Sequence, residues 1–341
     1  MTKSLPLLPD RDNPWPHRLA VVLVVVTFPL IWVGGLVTTY RAGMAVPDWP
    51  STFGYNLFLY PWQTWIAGPW DLFVEHGHRL LGAAAGLVTI ALVVAVWLDA
   101  RRKWLRAPAI AALVLVIAQG VLGGVRVLAD DRQLALVHGC VGPLFFALCV
   151  ALALVTSLRW SAAESRPNRR SQALRLQVLS LVTLALIYVQ LVLGANVRHV
   201  AADASWQWFR GITYLHLFLA LAVAMHVLVL AGATLRFDWR RGGLVRPAAL
   251  MTALVCVQIA LGLATWLVRF AYPDWLRQLV GASPNPIVEH GMLGANVVTA
   301  HVATGSLLLA TAVVLSLRAA RLVPALKNVA APVAVWSGSH A

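Results

Sequence analysis

The sequence predicts an all-α polytopic membrane protein whose eight transmembrane helices form two four-helix bundles related by a pseudo-twofold axis. Three observations carry this. The chain is 60% hydrophobic and only 12% charged over 341 residues, with mean hydropathy +0.76. That is more apolar surface than a soluble domain of this size can bury. The apolar residues come in long runs rather than alternating, which fits helices crossing a hydrocarbon core of roughly 30 Å and not the strands of a barrel. A short pattern of glutamine, small residues and arginine also recurs along the chain.

Eight apolar runs lie between charged residues, at about 18–40, 73–98, 107–127, 134–158, 173–194, 211–235, 246–268 and 293–317. The first begins near Leu19 and is long enough to span, so the start of the chain does not read as a cleavable signal. Residues 1–16, rich in Pro and Asp, predict a disordered lead. The net charge of +14 would suggest nucleic acid in a soluble protein. Here the basic residues fill short loops, so no nucleic-acid partner is expected and the partner is a lipid membrane. Counted on alternate sides of the eight spans, 19 of the 27 Lys and Arg fall on the side of the two termini and 8 on the other. The positive-inside rule then predicts a multi-pass protein of the inner (plasma) membrane with both termini cytoplasmic. Cys140, Cys149 and Cys256 all lie inside spans without metal-site spacing, so they are expected to be small buried hydrophobes, with no disulfide.

The repeat divides the chain. Gln119 is followed by Leu122-Gly123-Gly124 and Arg126, Gln190 by Leu193-Gly194-Ala195 and Arg198, and Gln258 by Leu261-Gly262; the first span carries Gly34-Gly35. Each odd span ends in small residues that let helices approach closely, and each even span carries a histidine. The natural parse is a half at 1–160, a half at 171–320 and a cytoplasmic tail at 321–341. Between the first two spans, residues 41–72 are long and rich in rings, including Trp49, Tyr55, Tyr60, Trp62 and Trp65. This segment reads either as an interfacial aromatic belt or as a folded lid.

Ionisable groups within spans are costly and default to function. His78, His138, His216 and His301 enter the even spans from the same side at depths that agree within about one turn. Four in register favour ligation over isolated core hydrogen bonds. Imidazoles on facing helices, with no third ligand nearby, suit axial ligation of haem iron rather than zinc. Two sites are expected, His78 with His138 and His216 with His301. Haem propionates need cationic partners at the aqueous edge, and Arg79, Arg126 and Arg198 sit there; snorkelling interfacial arginines are the plain alternative. Glu75 precedes His78 by three residues on one helical face. It reads either as a group that moves protons or polarises a substrate, or as a carboxylate favoured by a helix N-terminus. His226 is expected to make a core hydrogen bond, and Glu289-His290-Gly291 echoes Glu75-His76-Gly77.

At these residues the sequence resembles the haem A synthase family. The likeness lies in Gly34-Gly35-Leu36-Val37, Gly43, Pro47-Asp48-Trp49-Pro50, Glu75-His76-Gly77-His78-Arg79-Leu80-Leu81-Gly82, the Gln119 pattern with His138, and the positions of His216 and His301. It covers roughly 18–318. The resemblance implies a membrane oxidoreductase that converts the methyl group of haem O to the formyl group of haem A for cytochrome oxidase assembly. It further implies that His78 and His138 bracket the substrate haem, that His216 and His301 hold a b-type haem relaying electrons, and that Glu75 acts beside the substrate methyl. Haem O synthase, cytochrome oxidase and a second copy of the chain are the candidate partners. The chain departs from the family pattern by lacking the cysteine pair some members carry in the first outer loop, and by having Val302 after His301 where arginine often stands. A membrane b-type cytochrome exchanging electrons with quinone, or a non-catalytic haem transporter or chaperone, would share the histidines but would not need Glu75.

Overall fold

The computed structural model describes residues 13–161, 170–200, 203–238, 243–270 and 291–322. Among them are eight helices long and apolar enough to cross a membrane: α1 (Trp15–Thr39), α2 (Trp70–Trp97), α3 (Arg106–Leu128), α4 (Arg132–Val155), α5 (Arg170–Arg198), α6 (Trp206–Asp238), α7 (Val245–Phe270) and α8 (Met292–Leu322). Every expected run falls on one of them. Most of the helices overshoot the runs by up to a turn or so at one end or the other. Hydropathy stops at the first polar residue, whereas the backbone ladder continues through residues such as Trp70-Asp71 and Trp206-Gln207. No strand occurs among the described residues.

In the first half α1 packs on α2 and α4, and α3 packs on the same two, closing a four-helix ring. In the second half α5 packs on α6 and α8, and α7 packs on the same two. The halves meet where α8 touches α1 and α4, with a smaller contact of α4 on α5. Helix α8 is the most enclosed: 56% of its apolar window is buried, against 17–33% for the other seven. Gly35 makes the α1–α8 approach possible, because a Cβ there would fall 2.7 Å from Thr299 Cγ2.

The two larger apolar cores fill the end of the bundle away from the histidines, and a smaller cluster of Leu36, Val37, Ala42, Val74 and Ala295 lies at the histidine-bearing end. Ala20, Leu23, Leu92, Val96, Leu105, Phe145 and Leu152 form one cluster, and Phe146, Leu176, Val227, Leu230, Met251, Leu309 and Leu315 another. Both of these larger clusters lie farther along their helices from the histidine-bearing end than the histidines themselves. Outward-facing Val25, Leu87, Ile90, Val114, Ile117, Leu221 and Leu228 are exposed on the protein surface, as a lipid-facing shell requires. Cys140 and Cys149 are buried as expected, but Cys256 is exposed, because it lies on the outer face of α7. His226 Nδ1 lies 3.0 Å from the Ala222 carbonyl, one turn back on its own helix. The expectations placed on the lead before Asn13, on Glu289 and His290, and on the tail beyond Leu322 lie outside the described residues.

Candidate functional site

The short connection between α3 and α4 fixes the first site. Asp130 adopts φ 46, and the Asp131 carboxylate caps α4 by accepting from the Leu134 N–H at 3.0 Å. Only Ala129–Asp131 separate the helices, so the glycines closing α3 lie against the start of α4. A Cβ on Gly123 would stand 3.1 Å from His138 Cε1. The same device recurs three times. A Cβ would fall 2.7 Å from His78 Cε1 at Gly34, 3.0 Å from His216 Cε1 at Gly194, and 3.1 Å from His301 Cε1 at Gly262. Each even-helix imidazole therefore rests on a glycine of the preceding odd helix, where any larger residue would displace it.

Because α2 and α4 are diagonal in their ring, His78 and His138 face each other across its interior. Their ring centroids are 6.3 Å apart with planes at 83°. Two imidazoles each bonded to one metal at about 2 Å span roughly this separation. His216 and His301 sit on α6 and α8, the diagonal pair of the second ring. Nδ1 of all four imidazoles is buried without a hydrogen-bond partner among the described residues. Glutamines one turn before the glycines reach the same histidines: Gln119 Nε2 donates to the His138 backbone carbonyl at 3.1 Å, Gln190 Nε2 to the His216 backbone carbonyl at 3.0 Å, and Gln258 Nε2 lies 3.5 Å from His301 Nε2. Oε1 of all three glutamines is likewise buried and unpartnered. Buried polar atoms are normally satisfied, so orphans gathered at these two places suit sites built for a bound group. Among the described residues no cluster of three or more His, Cys, Asp and Glu could hold a bare metal ion, whereas paired imidazoles suit an iron that a porphyrin already ligates.

Glu75 is 2% exposed. Its Oε1 accepts from Arg79 Nε at 3.1 Å, and its Oε2 lies 3.8 Å from Arg126 Nη2. Gly43 makes room for that arginine, since a Cβ there would fall 2.5 Å from Nη1. Arg79 also binds the first loop. Its Nη1 donates to the carbonyls of Asp48 at 2.7 Å and Ser51 at 2.9 Å, and its Nη2 to that of Val46 at 2.8 Å. With Glu75 this uses four of its five N–H groups, so only one remains for the propionate pairing expected of it. Its main role here is to clamp the loop to α2.

That loop is folded over the end of the first ring. The Asp48 carboxylate accepts from the Ser51 hydroxyl at 2.5 Å, the Phe53 N–H at 2.8 Å and the Gly54 N–H at 2.9 Å. Burial alone would raise this carboxyl, but donation from Gly54, Ser51 and Phe53 outweighs it and holds the group at about 2. The Trp49 ring lies on Gly124, where a Cβ would stand 2.2 Å from it. Thr52 Oγ1 lies 3.0 Å from His76 Nδ1, and Tyr60 and Trp65 pack on the His76 ring at centroid distances of 5.1 Å and 5.3 Å. His76, beside the motif's functional positions, is thus a loop anchor.

With this geometry in place, comparisons with known proteins are decisive. Residues 69–276 match the model of the COX15-CtaA family, cytochrome oxidase assembly proteins. This chain belongs to that family. A heme A synthase from Symbiobacterium thermophilum is 31% identical over 75% of this chain and 86% of its own length. One from Rhizorhabdus wittichii is 24% identical over 76% and 88%. One from Listeria monocytogenes is 31% identical over 43% and 44%. The stretch matching the COX15-CtaA model contains Glu75, His78, His138 and His216.

One polar residue at the site escaped the sequence reading. His199, the residue after α5, reaches the start of α4: a Cβ on Gly139 would be 3.8 Å from its Nε2. Burial, followed by the Arg198, Arg126 and Arg132 guanidiniums, pushes its imidazole down to about 4. It is therefore uncharged at neutral pH. The sequence offered only its adjacency to Arg198, since nothing local reveals that the end of α5 crosses to the other half.

Proposed function

We propose that this COX15-CtaA family member is a haem A synthase, oxidising the methyl group of haem O to the formyl group of haem A in the inner membrane with both termini in the cytoplasm. The observation that carries the reading is the facing His78–His138 pair at 6.3 Å with a buried carboxylate, Glu75, one turn away on α2. In this assignment His78 and His138 bracket the substrate haem. His216 and His301 hold a b-type haem, which supplies electron relay when bound. The two sites use the same glycine rest and buried Nδ1, which supports giving a porphyrin to each.

Taking a methyl group to a formyl group adds an oxygen atom and releases electrons together with protons, and in an apolar interior those protons need an acceptor. Glu75 Oε2 is buried without a hydrogen bond, leaving a lone pair to accept a proton, while Arg79 fixes the other oxygen. Arg126, 3.8 Å from Oε2, balances the charge of the carboxylate. The folded loop over this end excludes water from the reacting edge. The 19-to-8 distribution of basic residues supports the orientation. Haem O synthase and cytochrome oxidase are the partners this activity calls for.

Co-expression with a haem O synthase in a host lacking haem A tests the reaction, with extracted pigments identified by mass. Formyl haem is the expected product; haem O alone would refute it. In the same host Glu75→Gln is expected to lower formyl haem at least about a hundredfold with both haems still extracted. Undiminished product from that variant would remove Glu75 from the chemistry.

A further inference from the structure

The second half of the chain reaches into the first half's site. Arg198 Nη2, in the last turn of α5, donates to the Gly35 carbonyl and to Thr39 Oγ1 on α1, both at 2.7 Å. Beyond it, Arg132 Nη1 at the start of α4 donates to the Val200 carbonyl at 2.7 Å. The chain leaves α5 between these anchors in a turn, with the His199 N–H still on the Ala195 carbonyl at 2.9 Å. This bridge sets the His199 imidazole on the first turns of α4 beside Gly139, the residue following His138.

The surroundings of that imidazole are cationic and rich in donors. Arg126, Arg132 and Arg198 are its charged neighbours, and Arg126 Nε is buried without a partner. Three of the carboxylates at this end of the molecule are engaged elsewhere, and Asp130, in the connection between α3 and α4, is exposed. Asp48 is spent on its loop and Asp131 on the cap of α4, while Glu75 binds Arg79 through Oε1 and pairs with Arg126 Nη2 only at 3.8 Å, beyond hydrogen-bond reach. The His199 ring makes no hydrogen bond to any described residue. A donor set of this kind beside a porphyrin ligand, with Arg126 Nε still unpartnered, suits a further anion, and the anionic groups of an iron porphyrin are its carboxylates.

We propose that His199 and Arg126 together hold a carboxylate of the porphyrin lying between His78 and His138, so that the second half of the chain contributes a substrate-binding residue to the first. This rests on the assignment of a porphyrin to His78 and His138. It also gives the contact between the halves a purpose: the first site is complete only when the end of α5 is docked on α1 and α4. The corresponding residue one step beyond Arg126 is Val127, which is buried and apolar, so this position of the repeat offers the second half no polar group.

The test uses the full-length protein in detergent and two probes, iron protoporphyrin as the diacid and as its dimethyl ester. Binding is followed by the Soret band, and the portion of the signal lost in His78→Ala reports the first site. The native protein is expected to prefer the diacid. His199→Leu is expected to weaken diacid binding about tenfold while leaving the ester unchanged, and His199→Gln, which keeps a donor, to restore part of the preference. Equal affinity of the native protein for the two probes would overturn the proposal. So would a His199→Leu variant with an unaltered preference, or one that loses both probes equally, since the last marks a purely structural role. A native protein that keeps the preference but makes no formyl haem would sink the proposed reaction and leave this site standing.

Discussion

The two halves build the same cradle and furnish it differently. In each, diagonal helices present imidazoles that rest on glycines of their neighbours, with Nδ1 buried and unpaired. In the second half, both histidines have a glutamine one turn before the supporting glycine, Gln190 and Gln258. In the first half only His138 does; the position before Gly34 is Leu30. In place of the amide, the first half has Glu75 with Arg79 and Arg126, a loop folded over its mouth, and His199 from the other half. The shared device suits a porphyrin, and the carboxylate network is where one site departs toward chemistry. Under the proposed function, a ligand cradle is separable from a reaction centre within one chain.

The largest effect should come from breaking the two cradles separately. His78→Ala and His216→Ala are each expected to remove one porphyrin per chain, read by extraction and mass. His78→Ala should abolish formyl haem while the haem held by His216 and His301 keeps its low-spin spectrum. If both variants lost both porphyrins, the halves would not be independent sites.

Steric changes at the glycines should follow, in the order of their clearances. Gly34→Ala places a Cβ 2.7 Å from His78 Cε1, against 3.0 Å at Gly194 and His216. The first is expected to disturb its haem spectrum more than Gly194→Ala disturbs the other. Gly124→Ala, at 2.2 Å from the Trp49 ring, should undock the loop and raise proteolytic cleavage within residues 45–60, leaving the second site unaffected.

A smaller effect is expected from Gln190→Leu, about 1 kcal/mol of haem-binding free energy at the second site alone, measured as a change of two- to tenfold in haem dissociation rate. The smallest concerns acid. The Asp48 carboxyl is held at about 2, below its ordinary value of about 4, so its contribution to loop docking is full above pH about 4. It is lost as pH falls through about 2. Tryptophan fluorescence of the docked loop should hold down to about pH 4 and shift below it, and Asp48→Asn should show the shifted signal already at neutral pH.

Much of this could be read along the chain. The eight spans follow from hydropathy, and the common depth of His78, His138, His216 and His301 follows from a rise of about 1.5 Å per residue; both are properties of single helices. Helical spacing likewise placed Glu75 and His78 on one face of α2. The sequence assigned Arg79 to a propionate because it sits at the span edge, yet its donors go to Glu75 and to carbonyls some thirty residues away. That pairing depends on how the loop folds back, and it has no periodic signature. Cys256 looked like a core residue because an apolar run does not tell an inward face from one turned to lipid.

What the sequence by itself determined is the number of membrane helices, which of them carry imidazoles and at what depth, because those depend on local periodicity and on the cost of polar groups in hydrocarbon. Only the tertiary structure decided which imidazoles face one another, that glycines serve as their rests, and that His199 crosses from one half to the other. Those depend on side-chain volumes where distant segments meet, and close packing sets that distance to within a methyl group.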